Sequence, residues 1–368
     1  MENWFKKVSI ENFKSLQQVE LDCKRVNVFI GKPNSGKSNI LEALSLFAPQ
    51  FPQRPLPNFM HDVIRYDDLS NWFYDEDLSR RIRVFADEVG VLIDYEPSSD
   101  SLIYLFTPRP DVNLFEKRAS LSVSGVGQNF NSKYQDFPKK GWQFILVSAS
   151  PKDQSVNGTF TPSENSPLKT YLFKNETNYH EKFSEFLLPP HGSNLFGVVD
   201  HNRNLRLEIA EMFEQYGLKF VLSRRDGKFE LQKEVDNIVY KYPYTSMADT
   251  FKRLIFYLAA IETNRDSILV LEEPEVHSFP PYTKMLADRI ALSDENQFFL
   301  TTHSPYMLNT LIETVPDSEL AVHHVYFEEY ETKIHTLTPD ELTEVVDFSI
   351  DVFFNLDKFK EHGSLAHA

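Results

Sequence analysis

The run Gly31-Lys32-Pro33-Asn34-Ser35-Gly36-Lys37-Ser38 constrains this chain more than any other feature. It satisfies the phosphate-binding loop pattern G-x-x-x-x-G-K-[ST] at every defined position. The apolar stretch Val26-Asn27-Val28-Phe29-Ile30 before it reads as a buried strand. Asn39-Ile40-Leu41-Glu42-Ala43-Leu44-Ser45-Leu46-Phe47 after it reads as a helix. Those flanks supply the physics. Successive backbone N–H groups of the loop form an anion-binding nest, and the helix N-terminus adds its partial positive charge. Lys37 is then expected to reach the β- and γ-phosphates, and Ser38 to ligate Mg²⁺. Glycine is scarce, 12 in 368 residues, so a surface turn matching by accident is the weaker reading.

A chain of this length holds one large domain with insertions, or two domains. With 38 basic and 54 acidic residues the formal charge is −16, which gives no general attraction to nucleic acid or to an anionic membrane. Local basic strips are still conceivable at Lys6, Lys7 and Lys14, at Arg80-Arg81-Ile82-Arg83, at Lys139-Lys140 and at Arg224-Arg225. Each reads more simply as solvated surface charge. No run of eighteen apolar residues predicts a membrane span, and the first residues lack the apolar core of a signal peptide. Cys23 is the only cysteine, so a Cys-based metal cluster and an internal disulfide are excluded, and a cytoplasmic location is expected.

Residues 4–30 read as two strands joined by a turn, leading into the strand before the loop. Alternating apolar residues over 80–106 predict an antiparallel meander. From 107 to 200 the chain is rich in Pro, Ser, Asn and Gly, with short apolar runs such as Trp142-Gln143-Phe144-Ile145-Leu146-Val147, and reads as loops and short elements. Leu205, Ile209, Met212 and Phe213 share one face of a helix at 202–216. Phe220-Val221-Leu222 and Phe229-Glu230-Leu231 flank an Asp226-Gly227 turn and predict a hairpin. A helix at 248–262, a strand at 268–271, a helix at 282–291 and a strand at 297–301 follow.

Two further sites carry chemistry. In Ile268-Leu269-Val270-Leu271-Glu272-Glu273 four apolar residues precede two carboxylates. The acids are thereby placed at the C-terminal end of a buried parallel strand, where open α/β sheets bind ligands. Glu272 is expected to hold Mg²⁺ through its water shell and Glu273 to accept a proton from the attacking water. In Phe298-Phe299-Leu300-Thr301-Thr302-His303 a second strand ends at a histidine whose imidazole could hydrogen-bond the γ-phosphate. Taken singly, an acidic turn or a structural histidine is the ordinary reading. The shared context favours function.

These sites, with the opening Val8-Ser9-Ile10-Glu11-Asn12-Phe13-Lys14-Ser15-Leu16, resemble the ABC-type ATPase heads of the RecF, SMC and OLD (overcoming lysogenization defect) families. Residues 36–44 are similar to their P-loop helix, and Glu272-Glu273-Pro274-Glu275-Val276-His277 with Thr301-Thr302-His303-Ser304-Pro305 looks most like the OLD-type branch. The resemblance implies an α/β P-loop NTPase of ABC-head type. Its mixed, largely parallel core sheet would be joined by an antiparallel meander and a helical and β insertion. It implies a head in two parts, 1–106 and 241–345, around an insertion at 107–240, with a tail at 346–368. It implies ATP and Mg²⁺ as cofactors. Catalysis would fall to Glu273, His303 and Lys37. Nucleotide contacts would come from Gly31 to Ser38 with Asn39 and Lys14, and metal contacts from Ser38 and Glu272.

The same resemblance implies a head-to-head dimer in which a signature segment reaches the partner's ATP. Here that segment is Ser246-Met247-Ala248-Asp249-Thr250-Phe251-Lys252-Arg253, with Ala248 and Thr250 where the pattern has glycines. Glycine lets backbone N–H groups approach a phosphate, so sensing in trans is expected to be altered. Glu272 stands where the broader class has Asp. About 65 residues follow His303, too few for the TOPRIM nuclease domain of OLD proteins, so no nuclease activity is expected. The leading expectation is an ATPase switch serving a separately encoded effector or a nucleic-acid process, by analogy with DNA repair or phage defence. The alternative is an ATP-binding assembly module with little hydrolysis, and a membrane-transporter motor is disfavoured.

Overall fold

The computed structural model describes residues 4–48, 62–87, 89–98, 100–108, 145–149, 156–160, 166–179, 181–182 and 184–360. Lys139, Lys140, Trp142 to Phe144 and the tail beyond 360 lie outside the described residues.

Two sheets organise the chain. One has six strands: β3 (Val26–Ile30), β9 (Leu168–Tyr171), β13 (Ile268–Glu272), β14 (Gln297–Thr301), β15 (Leu320–Glu328) and β16 (Glu331–Thr336). Their order is β16-β15-β3-β14-β13-β9, and every pair is parallel except β15 with β16. The central strands β3 and β14 are buried along their whole length, as a parallel sheet covered on both faces requires. Alternate residues serve different cores. Val26, Val28, Leu269, Leu271, Phe298 and Leu300 pack on one side, and Phe29, Ile268, Val270 and Phe299 on the other.

The second core is closed by α1 (Lys37–Ser45) and by the antiparallel sheet. That sheet comprises β1 (Lys7–Phe13), β2 (Leu16–Asp22), β4 (Ile82–Ala86), β5 (Val89–Glu96), β6 (Ser101–Pro108), β7 (Ile145–Ala149) and β8 (Val156–Phe160), in the order β2-β1-β4-β5-β6-β7-β8. The predicted meander is therefore present, and β7 and β8 extend it. The first core is closed by α2 (Leu195–His201), α3 (Arg203–Glu214), α4 (Asp249–Thr263), α5 (Pro280–Leu292) and α6 (Pro305–Thr314). A last helix, α7 (Pro339–Phe348), follows β16. The expected apolar face of α3 is buried as read. The predicted hairpin is β10 (Lys219–Ser223) with β11 (Lys228–Val235), joined by a third strand, β12 (Ile238–Pro243), that the sequence did not announce. Both faces of β12 are exposed.

Arg25 ties the core sheet to α5. Its buried guanidinium donates to Ser293 O at 2.6 Å and Ala291 O at 2.9 Å, placing a cation on the negative end of that helix. Several candidate basic residues are paired locally: Lys7 with Asp22, Arg80 with Asp77, Arg81 with Asp94, Arg83 with Glu11, and Arg224 with Asp200. No helix among the described residues is long and apolar enough to cross a membrane.

His323, buried in β15, stacks on Phe29 with ring centroids 4.9 Å apart. Burial, with Lys24 adding to it, pushes its imidazole down to about 3. Between that value and the ordinary one near 6.5, the unfolded chain binds a proton that the folded chain excludes. Stability should therefore fall by about 2 kcal/mol from pH 7 to pH 5. His323→Gln is expected to flatten this slope in urea titrations. A variant that loses as much stability as the wild type over that range would refute the assignment.

Candidate functional site

Register builds the site. Cα partners Phe29, Thr301 and Glu272 lie side by side across β3, β14 and β13. Because the three strands are parallel, the residues after them leave the sheet at one edge: Gly31 and the loop, Thr302-His303, and Glu273.

The loop needs its two glycines for different reasons. A Cβ on Gly31 would lie 2.1 Å from the carbonyl oxygen of Val325 in β15, which has no room to withdraw. Gly36 is the N-cap of α1 with φ +100°, a conformation few other residues adopt. The helix starts at Lys37, two residues earlier than the sequence suggests, so Lys37 and Ser38 sit in its first turn. A clamp from distant sequence holds the loop. Thr332 of β16 donates from Oγ1 to Ser35 O at 3.0 Å and from its backbone N–H to Ser15 O at 2.9 Å. The Ser15 hydroxyl meets Thr332 Oγ1 and accepts from Asn39 Nδ2, both at 2.7 Å.

Lys37 is buried and donates from Nζ to the carbonyls of Gly31 at 2.9 Å and Lys32 at 2.8 Å. Burial lowers it to about 8, although Glu273 and Glu272 pull the other way. Lys32, Pro33 and Asn34 form the exposed crest of the loop, and Lys32 pairs with Asp357 of the C-terminal segment at 2.6 Å.

The Ser38 hydroxyl donates to Glu272 Oε1, so the two residues expected at the metal are in contact. Arg65 Nη2 reaches the same oxygen at 2.9 Å, and Arg65 Nε pairs with buried Glu42 at 2.8 Å. Lys14 also ion-pairs with Glu42, and its Nζ donates to Arg65 O at 2.6 Å, which places it behind the loop helix beside Glu272. Glu273 has φ +41°, unusual outside glycine, and its N–H donates to Thr301 Oγ1 at 3.0 Å. Its Oε1 lies 3.4 Å from His303 Nε2. Burial and the charge of Lys37 lower the His303 imidazole, against the pull of Glu273. Glu42, Arg65 and Thr332 were given no role by the sequence. Glu42 stood inside a helix pattern, and Arg65 and Thr332 stand in no motif.

The Ser246–Arg253 segment forms the entry to α4, with Ala248 as N-cap. The Thr250 hydroxyl donates to His277 O at 2.5 Å, and Asp249 Oδ2 lies 3.1 Å from His277 Nδ1. A glycine at 250 could not make the first bond. Thr250 therefore fastens the start of α4 to the turn that follows Glu273.

A family model described as "AAA ATPase domain" matches residues 5–186 and 250–308. The chain belongs to this AAA ATPase domain family. The match omits 187–249, which carries α2, α3 and β10 to β12. The phosphate loop, the carboxylate-bearing β13 and the histidine after β14 all lie within the matched residues. An "ATP/GTP phosphatase" of Helicobacter pylori (strain ATCC 700392 / 26695) is 21% identical over 366 residues, 91% of this chain and 92% of that protein. "DNA replication and repair protein RecF" of Geotalea uraniireducens (strain Rf4) is 26% identical over 135 residues, 35% of this chain and 36% of its own. Among solved structures, an SMC head bound to the C-winged helix domain of ScpA is 14% identical, covering 93% of this chain and 99% of its own, with a TM-score of 0.49. An SMC head with an extended coiled coil, bound to the C-terminal domain of ScpA from Pyrococcus furiosus, is 13% identical, covering 94% and 98%, at 0.47. The family member described here is an α/β P-loop ATPase domain whose parallel sheet carries the phosphate loop at one edge.

Gly36→Ala should destabilise the chain by about 1–3 kcal/mol, from the φ and from a Cβ placed 2.1 Å from Thr332 Oγ1, and should abolish binding of a fluorescent ATP analogue. A variant that melts and binds as the wild type does would contradict this reading of the loop. If the ammonium form of Lys37 holds phosphate, affinity should weaken about tenfold from pH 7 to pH 9 as that group deprotonates. Lys37→Ala should bind weakly with no such pH dependence.

Proposed function

We propose that this chain hydrolyses ATP to ADP and phosphate and uses the cycle as a switch. The observation that carries the reading is the placement of Glu273 Oε1 3.4 Å from His303 Nε2, at the sheet edge where Lys37 rises from the loop. In this reading Glu273 accepts a proton from water. His303, kept neutral near pH 7 by its lowered basicity, hydrogen-bonds the γ-phosphate, and Lys37 holds the β- and γ-phosphates. The name of the Helicobacter relative, an ATP/GTP phosphatase, agrees with hydrolysis.

The donors suit magnesium. Ser38 and Glu272 offer only hard oxygens, and their contact shows that both reach one point. Mg²⁺ commonly takes one or two protein oxygens and keeps its other positions for water and phosphate. The ion, when bound, supplies positive charge against the phosphates. Among the described residues no three His, Cys, Asp or Glu side chains form an all-protein cage.

The head is proposed to comprise 1–106 and 241–345, with β9 from the intervening 107–240 at the edge of its core sheet and 346–368 as a tail. Two heads would close around nucleotide, each offering its Ser246–Arg253 segment to the other. A separately encoded effector or nucleic acid would read the closed state, in DNA repair or phage defence by analogy. The RecF relative's name is in keeping with the first of these. A second reading, an ATP-holding module with little turnover, is favoured by Thr250. Its side chain is committed to His277 O, where a glycine would leave backbone open to phosphate.

Steady-state phosphate release separates the two readings. Glu273→Gln should lower the rate by about 10²- to 10⁴-fold while leaving nucleotide affinity near that of the wild type, and Lys37→Ala should lose both. A wild-type rate no higher than that of Glu273→Gln would leave only the binding module.

A further inference from the structure

The third carboxylate of the run Glu272-Glu273-Pro274-Glu275 has no part in the reading above. Glu275 is an acid and yet only 8% exposed. One of its oxygens, Oε1, accepts from the Thr302 hydroxyl at 2.6 Å and from the backbone N–H of His303 at 3.0 Å. Thr302 Oγ1 in turn accepts from the Ser304 N–H at 3.0 Å, and Ser304 caps α6 by accepting from the Met307 N–H. The turn from Thr302 to the start of α6 is thus tied to this one carboxylate oxygen, beside a backbone bond from the Thr302 N–H to Phe29 O at 3.2 Å. Oε2 is buried and has no hydrogen-bond partner among the described residues. Burial pushes the carboxyl up, the bonds from Thr302 and His303 resist, and the charge of Glu273 adds to the rise. A buried acid with half its acceptors unused is costly for stability alone, and an apolar side chain would pack there more cheaply.

We infer that Glu275 is a positioning residue for His303: its Oε1 fixes the backbone N–H of the residue that carries the imidazole, and so sets His303 Nε2 opposite Glu273. This rests on the roles given to Glu273 and His303 above. Two other groups face the imidazole, Lys37 through its charge and Phe353, whose ring centroid lies 6.2 Å away. Neither fixes the backbone of the turn. Glu273 in turn is fixed by Thr301 Oγ1, so the turns after β13 and β14 are laced in both directions, Glu273 to Thr301 and Glu275 to Thr302 and His303.

The test compares Glu275→Ala with Glu275→Gln in the full chain. It follows Mg-ATP phosphate release, affinity for a fluorescent ATP analogue, and the His303 imidazole titration by NMR of histidine-labelled protein, assigned with His303→Gln. Glu275→Ala should cut phosphate release about 10- to 100-fold with affinity changed less than about threefold, because the phosphate loop is held by Thr332 instead. The His303 midpoint should rise from its lowered value toward about 6.5 as the ring leaves its place. Glu275→Gln keeps an oxygen for both bonds and should restore all three readouts. A wild-type His303 midpoint in Glu275→Ala, or a Glu275→Gln as impaired as Glu275→Ala, overturns the inference. If Glu275→Ala does not fold, Thr302→Val removes one of the two bonds and should shift the midpoint in the same direction; no shift overturns it. Absence of phosphate release from the wild type would defeat the hydrolytic reading alone, since the His303 midpoint decides the positioning role without turnover.

Discussion

The parallel register of β13, β14 and β3 is the constraint on which everything else depends. Glu272, Thr301 and Phe29 are Cα partners in adjacent strands, so three segments far apart in sequence end at the same level. A slip of one residue in any strand would turn its apolar residues toward the wrong core. Both faces of this sheet are buried, and that burial is what fixes the register. The same packing that makes the core therefore aligns the loop, the carboxylates and the histidine.

Charge is managed at that edge in two layers. Nearest the loop, Lys37 lies between loop carbonyls and the fields of Glu272 and Glu273. Behind it, buried Glu42 takes both Lys14 and Arg65, and Arg65 passes the link on to Glu272. An unpaired carboxylate at Glu42 would carry a desolvation cost of several kcal/mol, so the two cations are structural necessities before anything else. Because Arg65 and Ser38 share Glu272 Oε1, the carboxylate proposed to hold Mg²⁺ is oriented from both sides.

The entrance to α4 is tied to the turn after β13. Thr250 and Asp249 are occupied by His277, which joins that helix to the turn carrying Glu273. The link connects the start of α4 to the turn that follows the general-base candidate within one chain. The segment before it, β12, leaves Ile238, Val239, Tyr240 and Tyr242 exposed, in a region the family model does not match.

Local signals were legible without coordinates. The loop, its flanking strand and helix, the β13 carboxylates, the β14 histidine and the α3 stripe all rest on adjacency or on a period of 2 or 3.6. Both are set by backbone geometry within a few residues. β9 and β12 escaped notice because a four-residue strand and an exposed strand have no such period. The roles of Arg65, Thr332 and Glu275 escaped for a related reason. Thr332 meets Ser35 across 297 positions of chain, and Glu275 meets His303 across 28. By itself the sequence marked the candidates for phosphate and carboxylate chemistry, because those residue types and spacings follow from local geometry. Only the tertiary structure decided what holds them in place, because hydrogen bonds between distant segments exist only once the sheet has set their register.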